Sequence, residues 1–259
     1  MNNTFRFSVL ALSSPLLFTP LAVQADTIAG LYAGAQIWNM ESSGSFGEDG
    51  TMQSFNLDDK TKGSFWVALE HPIPVIPNIK IRYNQLDVKG YSDVNNLEFG
   101  DYTFTGHASV DAKLDHFDFI LYYEILDNDI VSLDLGLNAK YGDFKVKLDG
   151  TVEDNQGNSL SQSAEESYNG VIPLGYVAAE IGLPFTGLGV YGEVNWIGYD
   201  DHHVHDIQGG IFWNMIETLA IDATVQFGYR DIKFDIEDLS GIYADAEFKG
   251  AYAGLQLHF

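Results

Sequence analysis

Alternation with a period of two, and the position of the charges within it, limits what this chain can fold into more than any other feature. From Ser132 to Tyr141, the odd positions carry Leu133, Leu135, Leu137, Ala139 and Tyr141, while Ser132, Asp134, Gly136, Asn138 and Lys140 take the even ones. From Leu219 to Arg230, Leu219, Ile221, Ala223, Val225, Phe227 and Tyr229 oppose Ala220, Asp222, Thr224, Gln226, Gly228 and Arg230. Successive side chains of a β-strand point to opposite faces, so each segment reads as a strand with one apolar face. No comparable 3.6-residue periodicity is present.

Further apolar sets follow the same rule. They are Ala29, Leu31, Ala33, Ala35 and Ile37; Phe65, Val67 and Leu69; Ile79, Ile81 and Tyr83; and Phe117, Phe119, Leu121 and Tyr123. The odd positions from Val171 to Ile181 continue the series. After them come Leu188, Val190, Val194 and Trp196; Ile207, Ile211 and Trp213; and Ala251, Ala253, Leu255, Leu257 and Phe259. None of these faces carries Asp, Glu, Lys or Arg. The opposite faces do, forming a predicted lumen charge cluster of Glu70, Lys80, Arg82, Asp118, Glu124, Asp134, Lys140, Glu180, Glu193, Asp222 and Arg230, with Asp206 on the same face. A Lys or Arg facing lipid at mid-bilayer costs about 2–4 kcal/mol, so contact with hydrocarbon would impose this segregation.

The expected fold is therefore all-β, an antiparallel up-and-down transmembrane β-barrel of about ten strands. A soluble β-sandwich also alternates, but it does not require so many long strands with polar residues inside a closed wall. Gaps between segments alternate short and long: Pro72 to Asn78 is short, Lys89 to His107 long, Asp127 to Asp129 short, Asp149 to Ser167 long and Pro184 to Gly187 short. Short periplasmic turns and long extracellular loops have this asymmetry. A count of eight stays open, because residues 187–214 are Gly-rich and show only a short outer connection at Asp200 to His203.

The N-terminus predicts export. Arg6 precedes a largely apolar run from Phe7 to Val23, and Val23-Gln24-Ala25 has the small-x-small form accepted before cleavage. Residues 1–25 are read as a signal peptide and 26–259 as the barrel domain, which places the protein in the bacterial outer membrane after passage through the periplasm. The absence of Cys suits an oxidising periplasm. A net charge of −24 argues against nucleic acid as a partner, since phosphates are bound through clustered Lys and Arg.

The C-terminal run Ala251-Tyr252-Ala253-Gly254-Leu255-Gln256-Leu257-His258-Phe259 resembles the last strand of bacterial outer-membrane proteins, with its terminal aromatic and alternate apolar positions. The resemblance implies that Leu255, Leu257 and Phe259 form an assembly signal read by the barrel assembly machinery. Gly30-Leu31-Tyr32-Ala33-Gly34-Ala35 followed by Trp38 is similar to the opening of a largely uncharacterised proteobacterial small-barrel family. That likeness implies fold and location, and carries no active-site motif.

Candidate chemistry concentrates in Asp200-Asp201-His202-His203-Val204-His205-Asp206, at an expected outer connection. Asp201, His203, His205 and Asp206 could form a rim site of hydrolase type, since a His beside a carboxylate can act as a general base. That site needs a second acidic pair opposite, which no motif supplies, and solvated polarity is the plainer reading. His203 and His205 share a face and make an incomplete zinc site. Carboxylates at Glu48, Asp49, Asp58 and Asp59, at Asp149, Glu153, Asp154, Glu165 and Glu166, and at Asp231, Asp235, Glu237 and Asp238 are expected on outer loops. There they could recruit Ca2+ or Mg2+ and bridge to lipopolysaccharide phosphates. No cofactor beyond such weak ions is expected, and outer-membrane lipid and lipopolysaccharide are the expected partners. The function read from these features is a structural, surface-interaction or minor permeability role, with a narrow cation-favouring channel or a rim-sited Asp/His hydrolase as the alternatives. A barrel of this size should have a largely plugged lumen whose leak, if any, favours cations.

Overall fold

The computed structural model describes residues 29–48, 50–128, 130–153, 156–199, 202–218, 220–239 and 242–259. The expected signal peptide therefore lies outside the described residues, as do Asp49, Asp154, Asp200, Asp201 and Leu219. Thirteen strands follow in order: β1 (Gly30–Gly47), β2 (Gln53–Leu57), β3 (Lys60–Glu70), β4 (Asn78–Asn84), β5 (Asp87–Phe99), β6 (Tyr102–Lys113) and β7 (His116–Asp127), then β8 (Val131–Glu153), β9 (Ser159–Gly182), β10 (Leu188–Tyr199), β11 (His202–Glu217), β12 (Asp222–Leu239) and β13 (Ile242–His258).

They form ten staves, because β2 continues into β3, β4 into β5 and β6 into β7 across short breaks. The lower parts pair β1–β3–β4–β7–β8, and the upper parts pair β1–β2–β5–β6–β8. Backbone bonds hold the breaks beside one another: Asp58 N–H to Lys89 O at 2.8 Å, Gln85 N–H to Gly63 O at 3.1 Å and Leu114 N–H to Leu86 O at 2.7 Å. From β8 onward each strand pairs with the next, and β13 pairs with β1 from Tyr32↔His258 to Gly47↔Tyr243, so among the described residues the sheet closes without a free edge. The Gly-rich segment supplies two staves, β10 and β11, and this decides for ten.

The apolar faces read from the sequence point outward. Leu137 is 70% exposed and Ile37 66%, and Phe65, Phe117, Val190, Ile211, Phe227 and Leu255 are exposed with them. On β8 the charge-free outward set runs from Val131 to Tyr141. Ten residue steps of about 3.4 Å, tilted by about 40°, span about 26 Å, which matches the apolar band of a membrane barrel. Tyr83, Phe117, Tyr141, Trp196 and Tyr229 end this band on their strands, with the Tyr83 and Phe117 rings 4.9 Å apart. Aromatic residues are favoured at such interfaces because one end is apolar and the other can meet water.

Above that level the polarity of both faces reverses. On β8, Asp143, Lys145, Lys147 and Asp149 face out while Phe144, Val146 and Leu148 are buried inside. On β12 and β13, Asp231, Lys233, Asp245 and Lys249 lie outside Ile232, Phe234, Ala246 and Phe248. These inward residues pack with Met40, Phe46, Leu97, Phe99 and Phe104 into one apolar core. The barrel thus continues beyond the membrane as a wall with a dry interior, as a water-soluble β-barrel does.

This corrects the expected long loops. Lys89 to His107 forms most of β5 and β6, joined by a tight turn at Gly100 (φ 58°), where the left-handed backbone favours glycine. Asp149 to Ser167 lies largely in β8 and β9, paired as far as Glu153↔Ser159. The extended ladder satisfies backbone groups that a loop would leave to solvent, and the inward Phe and Val residues supply the packing.

Candidate functional site

Where the two interior environments meet, a belt of polar side chains crosses the lumen. It is built by inward positions of β3, β4, β7, β8, β10, β11 and β12. Arg230 donates from Nε and Nη2 to the two carboxylate oxygens of Asp206 at 2.8 and 2.6 Å, and also bonds Ser64 Oγ at 3.0 Å and Asn84 Oδ1 at 2.9 Å. Its guanidinium stands 5.4 Å over the Trp38 ring. This planar fork suits a carboxylate in a way that a lysine would not.

Lys140 supplies the second centre. Its ammonium donates to Asp118 at 2.8 Å and to His116 Nε2 at 2.7 Å, and lies 3.7 Å from Asp206. His116 Nδ1 lies 2.8 Å from the Leu114 carbonyl, which can only accept. The imidazole is therefore assigned as the neutral Nδ1–H tautomer, leaving Nε2 to accept the hydrogen bond from the Lys140 ammonium. Asp118 takes two further bonds, from Asn84 at 2.7 Å and Asn138 at 3.0 Å. His116, Asp118 and Asp206 place their ligand atoms within 4.8 Å of one another, close enough to hold a metal ion. In this arrangement the Lys140 ammonium takes the place of the cation.

Asn138 donates to Asn195 at 2.9 Å and Asn195 to Glu193 at 3.1 Å, which carries the network to a third centre. Glu193 accepts from Lys80 at 2.8 Å and from Arg82 at 2.7 Å, and the Lys80 ammonium stands 4.9 Å over Trp66. Four cations thus face three carboxylates, all nearly or fully buried except Lys80 at the lower edge. Buried charge persists only when paired and hydrogen-bonded, and this belt meets both conditions nearly everywhere.

Below the belt lies a cavity of about 940 Å³ that opens at the end carrying the short turns. Lys80, Arg82 and Glu193 line its roof, and Tyr32, Trp66, Tyr122, Tyr176 and Tyr191 contribute to its walls. Glu70, Glu124, Asp127, Asp134 and Glu180 also line it. The Tyr122 hydroxyl donates to Glu70 at 2.7 Å.

Every residue of the predicted lumen cluster lies on an inward position. Arg82, Asp118, Lys140, Glu193 and Arg230 are in the belt, Lys80 at its lower edge, and Glu70, Glu124, Asp134 and Glu180 in the cavity. Asp222 is lower still, 3.4 Å from His258 and accepting from Thr218 N–H at 2.9 Å. His116 and the amides of Asn84, Asn138 and Asn195 were not singled out from sequence, although their even or odd positions match their charged neighbours.

The described members of the rim constellation are not brought together, and Asp201 lies outside the described residues. Asp206 is fully buried against Arg230, whereas His203 is exposed on the outer face and His205 shares that face, 3.6 Å from Asp231. Strand alternation at β11 separates them, since a period of two sends adjacent residues to opposite sides of the wall. Several carboxylates expected on free loops instead stand beside lysines on strands, as Asp149 does with Lys147 at 2.9 Å and Asp235 with Lys233 at 3.7 Å. Leu255, Leu257 and Phe259 face outward beside the closing seam, where Phe259 N–H donates to Leu31 O at 2.9 Å.

No protein-family model matches the chain, and no curated protein matches it. Among solved structures it is similar to the Escherichia coli outer membrane protease OmpT, with 11% identity, a TM-score of 0.50, and coverage of 93% of this chain and 99% of that one. It also matches the Pseudomonas putida toluene transporter TodX at 7% identity and a TM-score of 0.36, over 90% of each chain. A Pseudomonas aeruginosa FadL homologue matches at 14% identity and a TM-score of 0.32, covering 90% of this chain and 65% of that one. The OmpT likeness extends over the whole barrel and supports the fold. The chain is a ten-stranded antiparallel transmembrane β-barrel of the Gram-negative outer-membrane type.

Proposed function

We propose that this protein is a sealed barrel that works through its surfaces, with a structural or surface-interaction role and little permeability. The observation that carries this reading is the double closure of the lumen. An ion-paired belt spans it at mid-height, and an apolar core packed with Phe fills it above. An ion entering from the cavity would have to displace Lys140 or Arg230 and then cross a dry interior. The charged outer face of the extension is the surface offered to lipopolysaccharide and to other partners, with Ca2+ or Mg2+ as bridging ions. The outward C-terminal residues are the segment offered to the assembly machinery.

The test is conductance of the purified barrel in planar bilayers. Wild type is expected to give no steady current, and brief leaks are expected to select cations because carboxylates outnumber Lys and Arg in the cavity. A steady, open-pore current or selection for anions refutes the proposal. A hydrolase role draws no support from the geometry, because His205 and Asp206 face opposite sides of the wall.

A further inference from the structure

The far end of the dry extension is covered by the tip of the β5–β6 hairpin. Below the tip, β5 pairs with β2 as far as Asn56↔Tyr91, and β6 pairs with β8 as far as Ala108↔Gly150. Among the described residues both ladders stop there, although β2 begins at Gln53 and β8 runs to Glu153. Each flanking strand thus continues three residues past its last rung, and the hairpin leaves those places empty. Its own ladder shifts between Val94 and Leu97, where Asn95 and Asn96 oppose Thr105 alone. Asn96 takes φ 53° and Gly106 φ 85°, so both strands bend at one level, and an extra residue on one strand is what bends a β-ladder.

The bend turns the tip inward. Leu97, Phe99 and Phe104 are buried in the apolar core. A Cβ on Gly47 of β1 would meet Leu97 Cδ1 at 2.7 Å, and one on Gly100 would lie 3.4 Å from Ala164 Cβ on β9. β1 and β9 stand five staves apart in either direction around the ring, so the tip reaches across the end of the lumen. Side chains, not a ladder, hold it on the β2 side. Gln53 Nε2 donates to Asn95 O at 2.8 Å, Gln53 Oε1 accepts from Asn95 N–H at 3.2 Å, and Glu98 N–H donates to Thr51 Oγ1 at 3.3 Å.

We propose that residues 94–106 form a hinged lid with two positions. In the inward one, described above, the tip seals the dry core. In the other the hairpin stands upright in the wall and continues both ladders in register, adding rungs as far as Val94↔Gln53 and Thr105↔Glu153. The two positions exchange one stabilising contribution for another. Inward, Leu97, Phe99 and Phe104 are kept from water; upright, the vacant backbone groups of β2 and β8 gain partners and the core opens at that end. Three large apolar side chains outweigh a few rungs, so the inward position is the resting one, and Gln53 and Thr51 act as its latch. The belt is closed in both positions, so the sealed-barrel reading does not depend on the lid.

The experiment uses the full barrel in lipid nanodiscs and two cysteine pairs, in a chain that has no cysteine of its own. Thr105→Cys with Glu153→Cys reports the upright position. Ser109→Cys with Asp149→Cys, which face each other in the existing ladder, calibrates it. The pairs lie four residues apart on each strand and so share one rung geometry. Cross-linking by a short bis-thiosulfonate reagent is followed by peptide mass spectrometry. The upright pair is expected to react at least about tenfold more slowly than the wall pair, because the resting lid holds it apart. Adding Leu97→Ala should speed the upright pair at least about tenfold and leave the wall pair unchanged, since the lost burial falls on the inward position alone. Hydrogen exchange of the cysteine-free barrel gives a second reading: in Leu97→Ala the amides from Leu97 to Phe104 should lose protection together, by the same factor, while those from Val146 to Leu148 keep theirs. Reaction of the upright pair as fast as the wall pair in the otherwise native chain overturns the proposal, because the tip then has no inward resting place. An upright pair that Leu97→Ala does not speed also overturns it, as does loss of protection that spreads into β8.

Discussion

Replacing Lys140 with Met tests the belt at its most connected point. The ammonium is fully buried and holds Asp118 at 2.8 Å and His116 at 2.7 Å, with Asp206 at 3.7 Å. Methionine fills a similar volume but leaves the carboxylates without that charge. Removing one partner of a buried pair costs about 3–5 kcal/mol. Asp206 keeps its two bonds from Arg230, and Asp118 keeps those from Asn84 and Asn138, which puts the expected loss near the lower end, about 3 kcal/mol. The assay is urea unfolding in lipid vesicles, with folded and unfolded fractions separated by their gel mobility. Adding Asp118→Asn should recover at least about 1 kcal/mol, because the orphaned charge is then gone. Vacating the ammonium position also frees three ligand atoms within 4.8 Å of one another, so Zn2+ should stabilise Lys140→Met and leave wild type unchanged. A loss below about 1 kcal/mol together with no recovery in the double variant would refute the view that Lys140 balances these acids.

Other perturbations probe the two faces separately. Leu137→Arg, at the centre of the outward band, should cost about 2–4 kcal/mol by the same unfolding assay, whereas Lys145→Leu above the band should change stability far less. Phe248→Ala inside the extension should cost about 3–5 kcal/mol through cavity formation. Phe227→Ala on the lipid face should cost less, because lipid chains can close around the smaller side chain; equal losses would contradict the assignment of the two environments. Asp87, in the extension, is pushed up by burial but pulled further down by the hydrogen bond and charge of Lys62 and the charge of Lys60, for a net lowering. Its contribution is present above its unfolded value of 3.8 and fades as pH falls through the lower folded value. For so exposed a group the effect is below about 1 kcal/mol, and Asp87→Asn should flatten the acid limb of a stability–pH curve.

The membrane half was legible because its alternation is of the expected sign. Leu133, Leu135 and Leu137 against Asp134 and Asn138 leaves little choice of face. The upper half was misread as loops because the same period appears there with the faces exchanged. Phe144, Val146 and Leu148 alternate with Lys145, Lys147 and Asp149, so a search for charge-free outward faces passes over them. Glycines at 90, 100 and 106 and the register shift between Val94 and Leu97 further broke the pattern in β5 and β6. The charged members of the belt could be placed by parity alone. Their pairing could not, because Lys80 meets Glu193 and Arg230 meets Ser64 across more than 100 residues of sequence. The histidine-rich segment misled for a related reason: adjacency along the chain brought His205 and Asp206 together in sequence, while the strand put them on opposite sides of the sheet.

The exchange of inside and outside character also fixes how deeply the barrel sits. Sinking it by one rung would draw Asp143, Asp231 and Lys249 together into hydrocarbon, and raising it would bring Leu31, Ile181 and Phe259 into water. Because these penalties act around the whole circumference, vertical drift is opposed in both directions, and the stretch beyond the bilayer is held at a constant height over the membrane.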